Sequence, residues 1–171
     1  ISSVNNNGAA QTYLHEHRPD ERTKHAFFGQ TKYHFDSGIL DASYRYMTDD
    51  WEIDSHTFEF KYLLPFADGH YIEPHFRMYT QSAAEFYQPF VVEGEAKPSF
   101  VSADYRIGEL DTYTVGLKYG MPMGDGKSLS FRLEYYHQTP KSNGTQALGV
   151  LKDVDLYEPV NAIIAQVSYS F

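Results

Sequence analysis

The chain has 171 residues, with 23 acidic against 14 basic side chains, no cysteine and a single tryptophan. Aromatic residues make up 16 %, only 42 % of the chain is apolar, and the mean hydropathy is −0.51. That aromatic content excludes a disordered chain, and no uncharged apolar run approaches the roughly 18 residues of a spanning helix. A net charge of −9 argues against a nucleic-acid partner. The lack of cysteine removes disulfides, thiolate metal sites and cysteine nucleophiles together, and it fits an extracytoplasmic protein. The chain opens on Ile1 without a signal-peptide pattern and is read as a mature or trimmed product.

Residues 1–22 are polar and irregular. A weak alternation of period two follows over about 24–35. Leu40, Ala42, Tyr44 and Tyr46 then alternate with Asp41, Ser43, Arg45 and Met47, and Phe58, Phe60, Tyr62 and Leu64 with Thr57, Glu59, Lys61 and Leu63. A second weak stretch covers about 70–80. Pro74 interrupts it and predicts a bulge or local break, because proline cannot donate to a ladder. The clearest segment is 113–121, where Tyr113, Val115, Leu117, Tyr119 and Met121 alternate with Thr114, Gly116, Lys118 and Gly120. Leu129, Phe131, Leu133 and Tyr135 repeat the pattern, as do Ile163, Ala165, Val167, Tyr169 and Phe171. Helical spacing cannot produce such alternation, so about seven strands and no amphipathic helix are expected.

Short turns at 36–38, 65–69 and 122–127 alternate with long polar connections at 48–55, about 81–111 and 138–158. That order predicts an antiparallel up-and-down meander with its short turns at one end. The face opposite the apolar one carries Lys32, Asp41, Arg45, Glu59, Lys61, Glu73, Arg77, Lys118, Arg132 and Glu134, with His34 and His75 among them. Tyr and Phe gather near strand ends on the apolar face, at Phe35, Tyr46, Tyr62, Tyr169 and Phe171. Roughly ten-residue segments of this kind describe an all-β, antiparallel up-and-down transmembrane β-barrel. Its charged face lines the lumen. A soluble lipocalin-like barrel is the plainer rival.

The chain stops on Gln166-Val167-Ser168-Tyr169-Ser170-Phe171. This resembles the C-terminal strand of bacterial outer-membrane proteins, in which Val167, Tyr169 and Phe171 would form the signal read by the barrel-assembly machinery. The resemblance implies a bacterial outer-membrane location, periplasmic short turns and outward-facing long loops. Residues 1–22 are then an extracellular loop or disordered, and 23–171 supply the strands of one domain. Bacterial single-chain barrels have even strand numbers, so seven strands imply part of a larger barrel. An intact eight-strand barrel filled by side chains is the alternative.

Tyr44-Arg45-Tyr46-Met47-Thr48-Asp49-Asp50-Trp51-Glu52-Ile53-Asp54-Ser55-His56-Thr57 is followed by Glu73-Pro74-His75-Phe76-Arg77, Tyr79-Thr80-Gln81-Ser82-Ala83-Ala84 and Ser102-Ala103-Asp104-Tyr105-Arg106. Over 40–171 this set resembles the C-terminal half of a family of uncharacterised bacterial outer-membrane proteins, known only as a domain of unknown function. The resemblance implies longer full-length members and genes beside lipoproteins, thioredoxin-like proteins and flavin-attaching enzymes. It assigns no catalytic residue.

Four clusters could carry chemistry. The charged wall holds six basic against four acidic residues, about +2 in a chain of net −9. It is read either as a ladder of ion pairs or as a wetted, ion-biasing pore lining. Glu73, His75, Arg77 and Tyr79, with Glu59 and Lys61 beside them, could form half a metal site or a proton relay. Only His34 is available as a further ligand, and a structural polar network is preferred. His15-Glu16-His17 with His25 has metal-binding composition without converging geometry. His137-Gln138-Thr139-Pro140-Lys141-Ser142-Asn143-Gly144 is similar to the His-x-Ser-Asn-Gly stretch of outer-membrane phospholipases. Here His137 and Ser142 are five apart, which loses the shared strand face that nucleophile and base need. Asp49-Asp50, Asp153 and Asp155 could hold divalent cations that bridge lipopolysaccharide, or form a solvated outer surface.

The function expected is a pore or conduit for small solutes or ions, without catalysis, metal or cofactor. The second reading is a non-conducting barrel that anchors a periplasmic, lipoprotein or surface assembly. A hydrolase acting through Ser142 is third. The partners expected are lipid bilayer, lipopolysaccharide, the assembly machinery and a periplasmic or lipoprotein partner.

Overall fold

Period-two alternation becomes strand along the chain. The computed structural model describes residues 1–141, 147–154 and 156–171. Within them lie ten strands: β1 Ser2–Val4, β2 Ala10–Tyr13, β3 Lys24–Phe35, β4 Gly38–Asp49, β5 Asp54–Pro65, β6 Tyr71–Gln81, β7 Phe90–Val92, β8 Leu110–Gly124, β9 Lys127–Pro140 and β10 Val160–Ser170. Short 3-10 turns occupy Ala67–Gly69, Tyr105–Ile107 and Gly149–Asp153, and the described residues contain no α-helix.

Seven strands form one antiparallel up-and-down sheet in the order β10-β9-β8-β6-β5-β4-β3. All seven expected strands are present, with bounds wider than the alternation suggested. The long connection expected over 48–55 is a four-residue turn, since β4 reaches Asp49 and β5 begins at Asp54. The Asp49 carboxylate tightens it by accepting from the backbone N–H groups of Trp51 and Ile53, both at 3.0 Å. At Pro74 the ladder to β5 skips Tyr62 and Leu63 and resumes in the same register, while Pro74 stays paired with Leu117 on β8. A missing N–H breaks the ladder on one side, and no residue is inserted, so there is no bulge.

Residues 1–22, expected as loop or disorder, carry β1 and β2. β1 pairs antiparallel with β2 and parallel with β7, and Val4 is buried. With the 82–109 connection they build a cap at the long-loop end of the sheet. Its apolar core joins Ile53, Ala84, Phe86 and Ile107, with Met47, Trp51 and Tyr87 packed against it. Gln81 ties cap to sheet by donating its amide to the carbonyls of Arg106 (3.1 Å) and Gly108 (2.6 Å).

Over the seven-stranded sheet, burial is inverted. Leu133, at mid-sheet on the apolar face, is 60 % exposed, and Val115, Leu117, Phe58 and Phe60 are exposed beside it. On the opposite face the imidazole of His75 is only 9 % exposed, and Thr114 and Ser130 are buried. The sheet is also open. β3 pairs only with β4 and β10 only with β9, so both edges present free backbone among the described residues.

Candidate functional site

Strand register decides which charges meet. Lys32 pairs with Asp41, Asp41 with Lys61, Lys61 with His75, His75 with Gly116 and Gly116 with Glu134. A neighbouring rung runs Ser43, Glu59, Arg77, Thr114 and Tyr136. Lys32, Asp41, Arg45, Glu59, Lys61, Glu73, His75, Arg77, Lys118, Arg132 and Glu134 therefore all share one face of the sheet.

A chain of close polar contacts crosses this face from β5 to β9. Lys61 Nζ lies 2.5 Å from Glu59 Oε1, and Glu59 Oε1 lies 3.2 Å from His75 Nε2. His75 Nδ1 is 2.7 Å from Glu134 Oε1, which Arg132 Nη1 approaches at 3.6 Å. Arg132 Nη2 reaches Glu73 Oε1 at 3.3 Å. Glu134 stands on β9 and His75 on β6, with β8 between them. Gly116 makes the crossing feasible, since a Cβ there would sit 2.5 Å from Glu134 Cγ. At Gly120 the Tyr71 ring occupies the place that a side chain would take. Neither glycine stood out from the sequence, because their role needs the register. His75 Nε2 remains without a hydrogen bond despite its 3.2 Å approach to Glu59.

Each acidic residue of the predicted wall has a cationic neighbour. Lys32 Nζ meets Asp41 at 3.2 Å, and Gln30 Nε2 donates to the same carboxylate at 2.7 Å. Lys118 Nζ lies 5.3 Å over the Tyr71 ring. His34 pairs with Ile39 on the exposed edge strand, two strands from the His75 network, so it adds no ligand there. A cleft of about 490 Å³ opens on this face between β6 and β10, and Arg77, Tyr79, Thr112, Tyr136 and Gln138 line it beneath Arg106 of the cap. A second, of about 350 Å³, is lined by Phe28, Ser43, Arg45, Thr57, Glu59 and Arg77.

The other candidates separate. Glu16 accepts from Ser102 Oγ at 2.7 Å, the Ala103 N–H at 3.1 Å and Arg18 at 2.9 Å. Burial alone would raise its carboxyl, but these donors outweigh it and hold it below the usual range. His17 turns away to stack on Phe100, with ring centroids 5.3 Å apart. No group of three metal-ligating side chains converges among the described residues. Asp49 pairs with Arg22, and Asp50 accepts from the Thr23 N–H through both oxygens at 3.0 Å. This acidic pair builds a turn and is not a freely solvated charge. Asp104 accepts from the Arg106 guanidinium at 2.7 Å, and that bond holds its carboxyl down at about 2 against the opposing effect of burial.

His137 sits at one end of the apolar face, its Nε2 2.8 Å from Thr139 Oγ1 and its Nδ1 2.6 Å from Asn161 Oδ1. Tyr135 donates to the same Asn161 oxygen at 2.6 Å. The imidazole is thus taken up by a cross-strand polar pair. Ser142, Asn143, Gly144 and Asp155 lie outside the described residues. Val167, Tyr169 and Phe171 are exposed on the apolar face, with Phe171 96 % exposed and stacked against Tyr169.

No curated protein and no solved structure gives a significant match to the chain. A family model described as "Protein of unknown function (DUF3570)" matches residues 1–171, and the chain belongs to that family.

Proposed function

We propose that this sheet is part of an outer-membrane β-barrel that serves as a pore or conduit for small solutes or ions, with its polar face toward the lumen. The observation that carries the reading is the inverted burial. Exposed Leu, Val and Phe opposite buried His75, Thr114 and Ser130 and half-buried Glu59, Glu73, Arg132 and Glu134 are costly in water and favourable against lipid. The aromatics support it by gathering at both ends of the apolar face. Tyr33, Phe35 and Tyr62 adjoin at the short-turn end, as do Phe66 and Tyr119, while Phe27, Tyr46 and His56 adjoin at the capped end. Paired girdles around an aliphatic band are the pattern of a membrane barrel. The seven strands run from 11 to 15 residues, enough to cross a bilayer when tilted.

Seven is odd, so β3 and β10 run in the same direction. Antiparallel closure needs an odd number of further strands, as in a larger barrel of even strand number. The C-terminal strand then addresses the assembly machinery, and the capped end meets lipopolysaccharide. One observation favours a second reading, a non-conducting scaffold for a periplasmic or lipoprotein partner. In the Lys61–Glu59–His75–Glu134–Arg132–Glu73 chain every carboxylate already has a cation or imidazole beside it, as in a filled interior.

The test is heat-modifiable electrophoretic mobility of the full-length protein in lipid vesicles, followed by planar-bilayer conductance. Ohmic conductance supports the conduit. Heat-modifiable folding with an electrically silent bilayer favours the scaffold, and failure to enter lipid removes both.

A further inference from the structure

Pairing on the polar face is lopsided. Asp41 is met by Lys32, Asp49 by Arg22, Glu59 by Lys61, Glu73 by Arg132, and Glu134 by Arg132 and His75. No carboxylate of the described residues comes within ion-pair distance of Arg45 or Arg77 (the salt bridges on this face use other cations). Both arginines line the 350 Å³ cleft, together with the hydroxyls of Ser43 and Thr57. Arg77 also lines the 490 Å³ cleft, where the Thr112 hydroxyl and the Gln138 amide add further donors, the Tyr79 and Tyr136 hydroxyls being donated to Gln81 and Gln138. Arginine keeps its charge at any working pH, and its fork matches the oxygens of carboxylate and phosphate.

We infer that Arg45 and Arg77 form a binding site for small free oxyanions on the polar face and make the passage anion-selective. The selectivity half of this inference rests on the conduit reading; the binding half does not. The anion's oxygens accept from the two guanidinium groups and from the neighbouring hydroxyls, while the charge of Glu59, which lines the same cleft, is offset by Lys61 at 2.5 Å. The negative excess lies away from this face. In physiological salt the Debye length is about 8 Å, so distant loop charges are screened, whereas charges on the wall of a passage act on a passing ion at close range.

The experiment uses full-length protein purified from membranes and folded in vesicles. Inorganic phosphate binding is measured by calorimetry, and reversal potential is measured across a KCl gradient. Wild-type protein should bind phosphate and pass chloride in preference to potassium. Arg45→Gln with Arg77→Gln should weaken phosphate binding about a hundredfold, roughly tenfold for each charge-assisted hydrogen bond removed, and shift selectivity toward potassium. Arg45→Lys with Arg77→Lys should keep the chloride preference, and Lys118→Gln should leave phosphate binding within twofold. Heat-modifiable mobility verifies folding of every variant. Conductance without phosphate binding or chloride preference overturns the inference and spares the conduit. Phosphate binding abolished in the double glutamine variant, in an electrically silent protein, upholds the site and overturns the conduit. Phosphate binding unchanged in that variant overturns the site.

Discussion

Replacing Gly116 by alanine tests the arrangement of the polar face at its tightest point. An ideal Cβ at this position lies 2.5 Å from Glu134 Cγ and 3.1 Å from the Leu133 carbonyl. Ordinary van der Waals separation needs about 3.4 Å or more, so the Glu134 side chain must withdraw by about an ångström, and the 2.7 Å bond to His75 Nδ1 breaks. His75 Nε2 already has no hydrogen bond. The variant therefore leaves an imidazole only 9 % exposed with neither nitrogen bonded. Stranding a buried polar group costs about 1–3 kcal/mol, and here His75 and Glu134 both lose a partner. Because the clefts admit water, about 2–3 kcal/mol is expected. The assay is urea unfolding of the protein in lipid vesicles, with Gly29→Ala as control. Nothing lies within 4 Å of a Cβ at Gly29, so that change should be neutral or slightly stabilising. In a Glu134→Ala background the cost of Gly116→Ala should fall below about 1 kcal/mol. Equal midpoints for Gly116→Ala and Gly29→Ala would refute the reasoning.

Other expectations follow from the same geometry. Ile53, almost wholly buried in the cap, should cost about 2–4 kcal/mol of cap stability on truncation to alanine, read as protease sensitivity of the 82–109 segment with the sheet still folded. The Asp104 carboxyl is held near 2 by Arg106, below its ordinary 3.8, so its contribution is complete above pH about 4 and fades as pH falls toward 2. Emission of Trp51, the single tryptophan and part of the cap core, should report that change, and Asp104→Asn should remove the pH dependence. Arg106 is largely exposed, so the effect should stay under about 2 kcal/mol. Phe171→Ala should lower the amount of heat-modifiable protein in cells without changing conductance per molecule. An unchanged yield would remove the assembly role of the last strand.

What the sequence disclosed and what it withheld divide along physical lines. Alternation is local, so 113–121 and its six counterparts announced their strands and the partition of Lys61, His75 and Glu134 onto one face. Strand ends are not local. Thr48, Asp49, Asp54 and Ser55 look like loop residues, and only cross-strand pairing with a carboxylate-capped turn makes them strand. The cap was invisible because Ile53, Ala84, Phe86 and Ile107 come from separate segments and share no period. His75 and Glu134 are 59 residues apart, so their bond could be read only with the register of β6, β8 and β9 in hand. The importance of Gly116 follows from that register alone.

The central claim is that the apolar face meets lipid and the charged face meets water. A chain without cysteine suits a direct measurement. Single cysteines placed in turn at positions 113–118 carry a nitroxide, and accessibility to oxygen and to a water-soluble nickel chelate is read in vesicles. The account predicts oxygen contact at 113, 115 and 117 and chelate contact at 114, 116 and 118, in strict alternation. Chelate contact at 115 and 117 equal to that at 114 and 118 would contradict it.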